Sequence, residues 1–174
     1  MTNQKLIADI DLSKIKQQAA SKRKEHEKIV SKLKSKTPKQ LDQTIHQKHE
    51  QLFENIDCLD CANCCKTTSP LILQSDISNI SAYLKIQPGE LMKQHIIMDE
   101  DGDFVFNQTP CPFLGNDNYC SIYEARPKAC REYPHTQQRK QISIIDITLE
   151  NVAICPAVFR IFEHIESKFE NGAI

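Results

Sequence analysis

The sequence predicts an α+β fold that is mostly helical, with one short β-hairpin in a cysteine-rich region. Apolar residues recur at helical spacing in several segments, whereas strand-like stretches are few and short. Charge divides the chain, because residues 1–50 hold 12 Lys and Arg against 6 Asp and Glu, whereas residues 51–174 hold 10 against 17. We therefore predict a basic helical extension over residues 1–50 and a small acidic domain, with all eight cysteines, over residues 51–174.

Two helices are predicted before the first cysteine. Residues 11–36 are polar and lysine-rich, with a thin apolar stripe of Ile15, Ala19, Ile29, Val30 and Leu33. A second helix should begin near Thr37-Pro38, with Thr37 as cap and Gln40 completing a capping box, and should run to about residue 56.

The acidic domain should alternate short helices with one hairpin. Ser75 or Asp76 can cap a helix that reaches Leu84, and a further short helix follows Pro88-Gly89. The apolar triplets at 96–98 and 104–106 flank an acidic turn, which predicts the hairpin. The β-branched segment 142–149 predicts another strand, and Cys155-Pro156 should open a final amphipathic helix.

The chain shows no sign of export. It contains no apolar run long enough to cross a membrane, and its first residues lack the apolar core of a signal peptide. We expect a cytoplasmic protein whose thiols stay reduced. Dense cysteine then favours metal or redox chemistry over structural disulfides.

The densest cysteine segment is DCLDCANCCK, residues 57–66. The spacing of Cys58, Cys61 and Cys64 allows several sulfurs to meet at one metal. It also matches the run of bacterial ferredoxins, in which a distant Cys-Pro supplies a further thiolate. This chain has two such pairs, Cys111-Pro112 and Cys155-Pro156.

Cys64 and Cys65 are adjacent, and we expect their side chains to diverge. Diverging sulfurs would not share one mononuclear ion. They would serve two ions or two irons of one cluster, or leave one thiol free.

A thiolate metal centre carries negative charge that needs cations nearby, since four thiolates on Zn²⁺ leave a net charge of about −2. Three cations flank Cys130 in the sequence, namely Arg126, Lys128 and Arg131. We predict that they lie next to the sulfur ligands and offset the negative charge of the bound cofactor.

The motifs CLDCANCCK, TPCPFL and YCSIYEARPKACREYPH, followed by a later CP, resemble the CxxCxxCC cysteine-cluster family, also called YkgJ-like. The resemblance implies a protein that chelates zinc or iron. Its cysteine pattern maps onto seven residues, and an eighth, Cys155, resembles a cysteine that some members carry. The metal ligands implied are Cys58, Cys61, Cys64, Cys65, Cys111, Cys120, Cys130 and Cys155.

The metal and the role stay open at this point. The cofactor is either an iron–sulfur cluster, of the [4Fe–4S] type, or Zn²⁺. The main hypothesis is a non-catalytic metal-binding protein, because no catalytic constellation is evident. The alternatives are a redox or electron-transfer protein, an iron–sulfur oxidoreductase, and a relative of the flagellin lysine methylases, whose cluster is similar.

The basic segment 21–36 could bind an acidic partner or RNA without sequence preference.

Overall fold

The computed structural model describes residues 10–36 and 38–174, and its contacts divide the chain into two units. We call residues 10–57 and 134–174 the helical unit and residues 58–133 the cysteine unit. The contacts thus group the described residues of the N-terminal segment with the C-terminal segment. A domain boundary near residue 50 stays a prediction.

In chain order the helices and strands are α1 (Ile15–Lys36), α2 (Leu41–Phe53), α3 (Cys58–Cys61), α4 (Asn63–Thr67), α5 (Gln74–Leu84), α6 (Pro88–His95), β1 (Ile96–Met98), β2 (Phe104–Phe106), a 3-10 turn (Tyr123–Ala125), α7 (Lys128–Glu132), a second 3-10 turn (Gln141–Ile144), α8 (Ile145–Asn151) and α9 (Pro156–Glu170).

The helical unit is built around α9, which packs against α1, α2 and α8. Leu33, Ile45 and Phe162 are fully buried in its core. All five positions of the predicted apolar stripe on α1 are buried, and Pro156 occupies the first turn of α9 as expected. Burial of this narrow stripe stabilises α1, because isolated polar helices are only marginally stable in water.

Several cations of α1 pair with carboxylates of the same unit. The pairs are Lys22 Nζ with Glu166 Oε2 at 3.0 Å, Arg23 Nη2 with Glu150 Oε1 at 2.6 Å, and Lys34 Nζ with Asp146 Oδ2 at 2.6 Å. Lys32 Nζ lies 5.2 Å from the centre of the Phe169 ring. Part of the basic charge of α1 is therefore neutralised within the unit, although partly exposed pairs of this kind add little stability.

The predicted strand over residues 142–149 is wrong. The segment forms the second 3-10 turn and α8 instead. Its apolar residues follow a helical period, since Ile145, Leu149 and Val152 all face the core. Asp42 on α2 accepts hydrogen bonds from the backbone N–H groups of Lys140 (2.7 Å) and Gln141 (2.9 Å), which satisfies the start of the turn. Tertiary packing thus overrides the β-propensity of the isoleucines.

The predicted capping box at the start of α2 is wrong in part. The helix begins at Leu41, so Gln40 is the N-cap residue itself, and its side chain makes no capping hydrogen bond. The other half of that prediction falls on Thr37, which lies outside the described residues.

The cysteine unit contains the predicted hairpin. β1 and β2 pair antiparallel, with Ile97 opposite Val105, and Leu71 forms a bridge to Val105 from the other side. The unit has its own small core, which includes Ile77, Leu91 and Phe106. The fold class is therefore confirmed as mostly helical with one two-stranded hairpin. Among the residues that the structure describes, none of the helices is both long and apolar enough to span a membrane.

Candidate metal centre

The first cysteine motif is carried by two short helical turns. Cys58 and Cys61 lie at the ends of α3, and Cys64 and Cys65 lie in α4. Between them Ala62 adopts a left-handed conformation with φ of 47°. Such a conformation costs an alanine about 1–2 kcal/mol. Ala62 is 3% exposed, and it breaks the run CLDCANCC into two turns in place of one continuous helix.

The sulfurs of Cys64 and Cys65 lie 4.0 Å apart. The expectation that these two side chains diverge is therefore wrong. Neighbouring residues on a helical turn point in different directions at Cβ, but rotation about χ1 brings their sulfurs together. Sulfurs bound to one tetrahedral Zn²⁺ lie about 3.8 Å apart, given a Zn–S distance of about 2.3 Å. Cys64 and Cys65 can thus contribute to the same metal.

A backbone hydrogen bond links the second cysteine region to the first. The N–H of Cys111 donates to the carbonyl oxygen of Cys65 at 2.8 Å. The chain then makes a tight loop in which Leu114 bridges to Cys120 and the N–H of Gly115 donates to the Tyr119 carbonyl at 2.7 Å. A Cβ at Gly115 would lie 2.5 Å from an Asp117 carboxylate oxygen and 3.2 Å from the Tyr119 carbonyl oxygen, so a larger residue there would require the Asp117 side chain to move.

Three cysteines of this region have raised pKa values. Burial raises the pKa of Cys111 to about 11 and that of Cys130 to about 12, and it also raises the pKa of Cys120. Nearby thiols add to each shift, and Cys65 acts on all three. Without a cation these three thiols are neutral at pH 7, so a metal would bind with release of protons.

Backbone N–H groups point at two of the sulfurs. Phe113 and Leu114 donate to Cys111, and Ile122 donates to Cys120. Each of these hydrogen bonds opposes the effect of burial, because it stabilises the thiolate. Hydrogen bonds to sulfur are also a means by which proteins tune bound metal clusters.

Cys65 differs from the other three. The hydrogen bond from Cys64 lowers the pKa of Cys65 to about 7, against the opposing effect of burial, and the charges of Arg126 and Lys66 contribute in the same direction. Arg126 also favours the thiolates of Cys120 and Cys130. Cys65 is therefore partly ionised at neutral pH.

The charge of Arg126 acts on Cys65, Cys120 and Cys130, and its predicted role beside a bound cofactor stays a prediction. Its guanidinium lies over the Tyr123 ring, 3.5 Å from the ring centre, and its Nε donates to the Tyr123 carbonyl at 2.9 Å. The other two predicted supports make different contacts. Lys128 Nζ lies 3.8 Å from Glu132 Oε1, and Arg131 donates to the Arg126 carbonyl. Arg131 thus holds the backbone of the residue that faces the sulfurs.

Two contributing residues were not predicted. Lys66 directly follows the CC pair and acts on Cys65 through its charge. Asp76, expected only as a helix cap, is 1% exposed and accepts from the N–H groups of both Leu73 (2.9 Å) and Lys128 (3.0 Å). It joins the start of α5 to the start of α7, which carries Cys130. Lys66 was visible in the sequence as a cation next to cysteines, whereas the second bond of Asp76 depends on tertiary structure.

The structure gathers Cys64, Cys65, Cys111, Cys120 and Cys130 in one region of the cysteine unit. Cys58 and Cys61 belong to the same unit, and the Cys58 side chain is exposed. Cys155 belongs to the helical unit, where it precedes α9 and packs against the core. No three cysteine sulfurs among the described residues lie within 4.8 Å of one another. The donor set nevertheless fits a metal, since it combines thiols, N–H donors to sulfur and a nearby cation.

Sequence comparison agrees with this chemistry. Residues 57–153, more than half of the chain, match the CxxCxxCC family, which is described as a "putative zinc- or iron-chelating domain". The chain belongs to this family. The match contains the whole cysteine unit and extends into the second segment of the helical unit.

One curated relative is similar to the chain. The uncharacterized protein MJ0661 of Methanocaldococcus jannaschii is 31% identical over 84 residues, which cover 47% of this chain. The chain spans less than half of that relative, since the aligned part is 45% of it. No solved structure matches the chain significantly.

Proposed function

We propose that the cysteine unit binds a thiolate-ligated metal, either a [4Fe–4S] cluster or Zn²⁺, in a non-catalytic protein of the cytoplasm. The observation that supports this is the electrostatic interaction among Cys65, Cys111, Cys120 and Cys130, three of which (Cys65, Cys120 and Cys130) have Arg126 as a neighbouring cation. Four thiolates complete a tetrahedral zinc site or ligate the four irons of a cluster. The charge of Arg126 offsets part of their negative charge.

An iron–sulfur cluster is the first candidate. The C-x2-C-x2-C spacing and the Cys111-Pro112 pair are both typical of ferredoxin ligands. Anaerobic purification followed by analysis of iron, sulfide and zinc separates the two metals. Iron and sulfide in equal amounts, with a broad absorbance near about 400 nm, support the cluster. A colourless protein with stoichiometric zinc supports the zinc site, and a folded protein without metal contradicts the proposal.

A single substitution tests the ligand set. We expect Cys130→Ser to lose most of the bound metal, because serine cannot replace a buried thiolate. Ala82→Ser, on an exposed position of α5 in the same unit, is the control and should retain full metal content. Equal metal content in the two variants, measured on folded protein, would show that Cys130 is not a ligand. Cys155→Ser in the same series tests the eighth cysteine.

Electron transfer is the second candidate function, and the arrangement of donors around the sulfurs favours it. Arg126 and the N–H groups that face Cys111 and Cys120 would stabilise the added negative charge of a reduced cluster. Redox titration of the iron-loaded protein tests this role. Reversible reduction supports it, and a cluster that cannot be reduced, or that is destroyed on reduction, contradicts it.

We also propose that the basic segment 21–36 binds an acidic partner or RNA. RNA would be bound through contacts to its phosphate groups. Lys22, Arg23 and Lys34 are paired with carboxylates of the helical unit, which reduces the charge that they offer to a partner. Binding to a random single-stranded RNA at increasing salt tests the proposal. Affinity that falls steeply with salt supports it, and its absence at low salt contradicts it.

A further inference from the structure

Three carboxylates meet on the helical unit. Glu25 of α1 and Glu166 and Glu170 of α9 each present one oxygen, and these oxygens all lie within 4.8 Å of one another. Glu166 and Glu170 are one helical turn apart and so project from the same face of α9. Oxygens on opposite sides of one divalent cation lie at most about 4.8 Å apart, for metal–oxygen distances of about 2.0–2.4 Å. The spacing of the three oxygens is therefore compatible with one ion.

A buried histidine lies near one of these carboxylates, that of Glu166. His26 is 1% exposed, and among the described residues neither of its ring nitrogens has a hydrogen-bond partner. Its Nε2 lies 4.0 Å from Glu166 Oε2, which is too long for a hydrogen bond. The ring is held against Phe162, with 4.8 Å between ring centres. A buried polar group left without a partner calls for an explanation such as a bound ion.

We propose that Glu25, Glu166, Glu170 and His26 form a binding site for a divalent cation of the Mn²⁺ or Fe²⁺ type, separate in its ligands from the thiols. Carboxylate oxygens with one imidazole nitrogen suit these ions better than they suit soft, thiol-seeking metals. The ligands come from two packed helices, α1 and α9, as in other metal sites built within helical bundles.

Lys22 competes for this site. Its Nζ lies 3.0 Å from Glu166 Oε2 and 3.7 Å from Glu163 Oε1, so an ammonium group neutralises part of the cluster in this structure. A divalent cation carries twice the charge and accepts several oxygens at once. It would draw Glu166 away from Lys22.

The proposal is tested by adding Mn²⁺ to the purified full chain, with the thiol centre already loaded with its metal. Binding is measured as loss of the EPR signal of free Mn²⁺. Mn²⁺ is the probe because thiolates bind it weakly. We expect one Mn²⁺ per chain, and Glu166→Gln and Glu170→Gln should each raise the Kd about tenfold or more. Lys22→Met should lower the Kd. Glu163→Gln is the matched control, since Glu163 lies on α9 near Lys22 but outside the trio, and it should change the Kd little.

The role of His26 has its own readout. Bound Mn²⁺ should show nitrogen modulation in pulsed EPR, and His26→Phe should remove it while the ring stays packed on Phe162. The Cys130→Ser variant should bind Mn²⁺ like the parent, which keeps this test independent of the thiol centre. No binding at millimolar Mn²⁺, an equal loss in Glu163→Gln, or bound Mn²⁺ without nitrogen modulation would overturn the site as proposed. Glu170 is exposed, so its variant remains informative even if Glu166→Gln unfolds.

Discussion

At the scale of single residues, the cysteines of one small unit differ widely in acidity. Cys65 is acidic because Cys64 donates to its sulfur and Arg126 is near, whereas Cys111 and Cys130 are weak acids because burial and neighbouring thiols disfavour their thiolates. Cys65 has the lowest pKa of these three thiols, so it is the one that is partly ionised before a cation binds. Metal capture should therefore begin at the CC pair and end with deprotonation of the buried thiols.

This difference predicts the order of alkylation in metal-free protein. At pH 8 Cys65 lies above its pKa of about 7 and is mostly thiolate, whereas Cys130, with a pKa of about 12, stays protonated. Iodoacetamide should therefore modify Cys65 well before Cys130, as mapped by mass spectrometry of anaerobic, chelator-treated protein. The rate at Cys65 should fall as the pH drops below 7. Equal rates at the two positions would show that the environment of Cys65 is not as described.

At the scale of elements, α1 shows how a polar helix can be an integral part of a core. Most of its residues are exposed, yet Leu33 at its C-terminal end is 0% exposed. Its cations add contacts to Glu150, Asp146 and Glu166, but these are partly exposed pairs. The apolar stripe therefore supplies most of the stability that holds α1 in the unit.

Shortening a buried side chain in the apolar stripe of α1 should lower the stability of the protein. We expect Leu33→Ala to lower the free energy of unfolding by about 2–5 kcal/mol, because it removes buried methyl groups and leaves a cavity. Ile147→Ala is the matched control, since Ile147 on α8 is 51% exposed, and it should change the free energy by about 0.5 kcal/mol or less. Urea unfolding followed by circular dichroism measures both. Similar losses in the two variants would mean that α1 contributes no more than surface packing.

At the scale of the whole molecule, each unit has its own hydrophobic cluster, but the two clusters differ in size. The helical unit contains the larger cluster, which includes the apolar face of α9, whereas the cysteine unit has a smaller one surrounded by turns. A small core usually needs a further source of stability, and a bound metal can supply free energy of folding directly.

Removal of the metal should thus affect the two units differently. With chelator, backbone amides of residues 58–133 should lose protection from hydrogen exchange, because the sulfurs that join α4, the Cys111–Cys120 loop and α7 are no longer tied together. Amides of α9 should keep most of their protection. The melting transition of the cysteine unit should fall by about 10 °C or more. Unchanged exchange in residues 58–133, with metal loss confirmed by elemental analysis, would show that the small core is sufficient alone.

Local signals along the chain were enough to predict the fold class, most of the helices, the hairpin and the family. These follow from local signals, namely apolar periodicity, a turn between two apolar triplets, and cysteines at ligand spacing. The strand predicted over residues 142–149 failed because its packing partners and the Asp42 carboxylate are distant in sequence. Local propensity contains no information about such partners.

The arrangement of the functional groups, by contrast, depends on tertiary contacts. The tertiary structure brought the Cys64 and Cys65 sulfurs together, joined Cys111 to Cys65 through the backbone and placed Arg126 near three thiols. It also gave Asp76 its second hydrogen bond, brought three glutamates of two helices together and placed His26 beside one of them, Glu166. The physical reason is the same in each case. Side-chain rotation, burial and contacts across long stretches of chain set acidity and ligand geometry, and none of them can be read from spacing along the sequence.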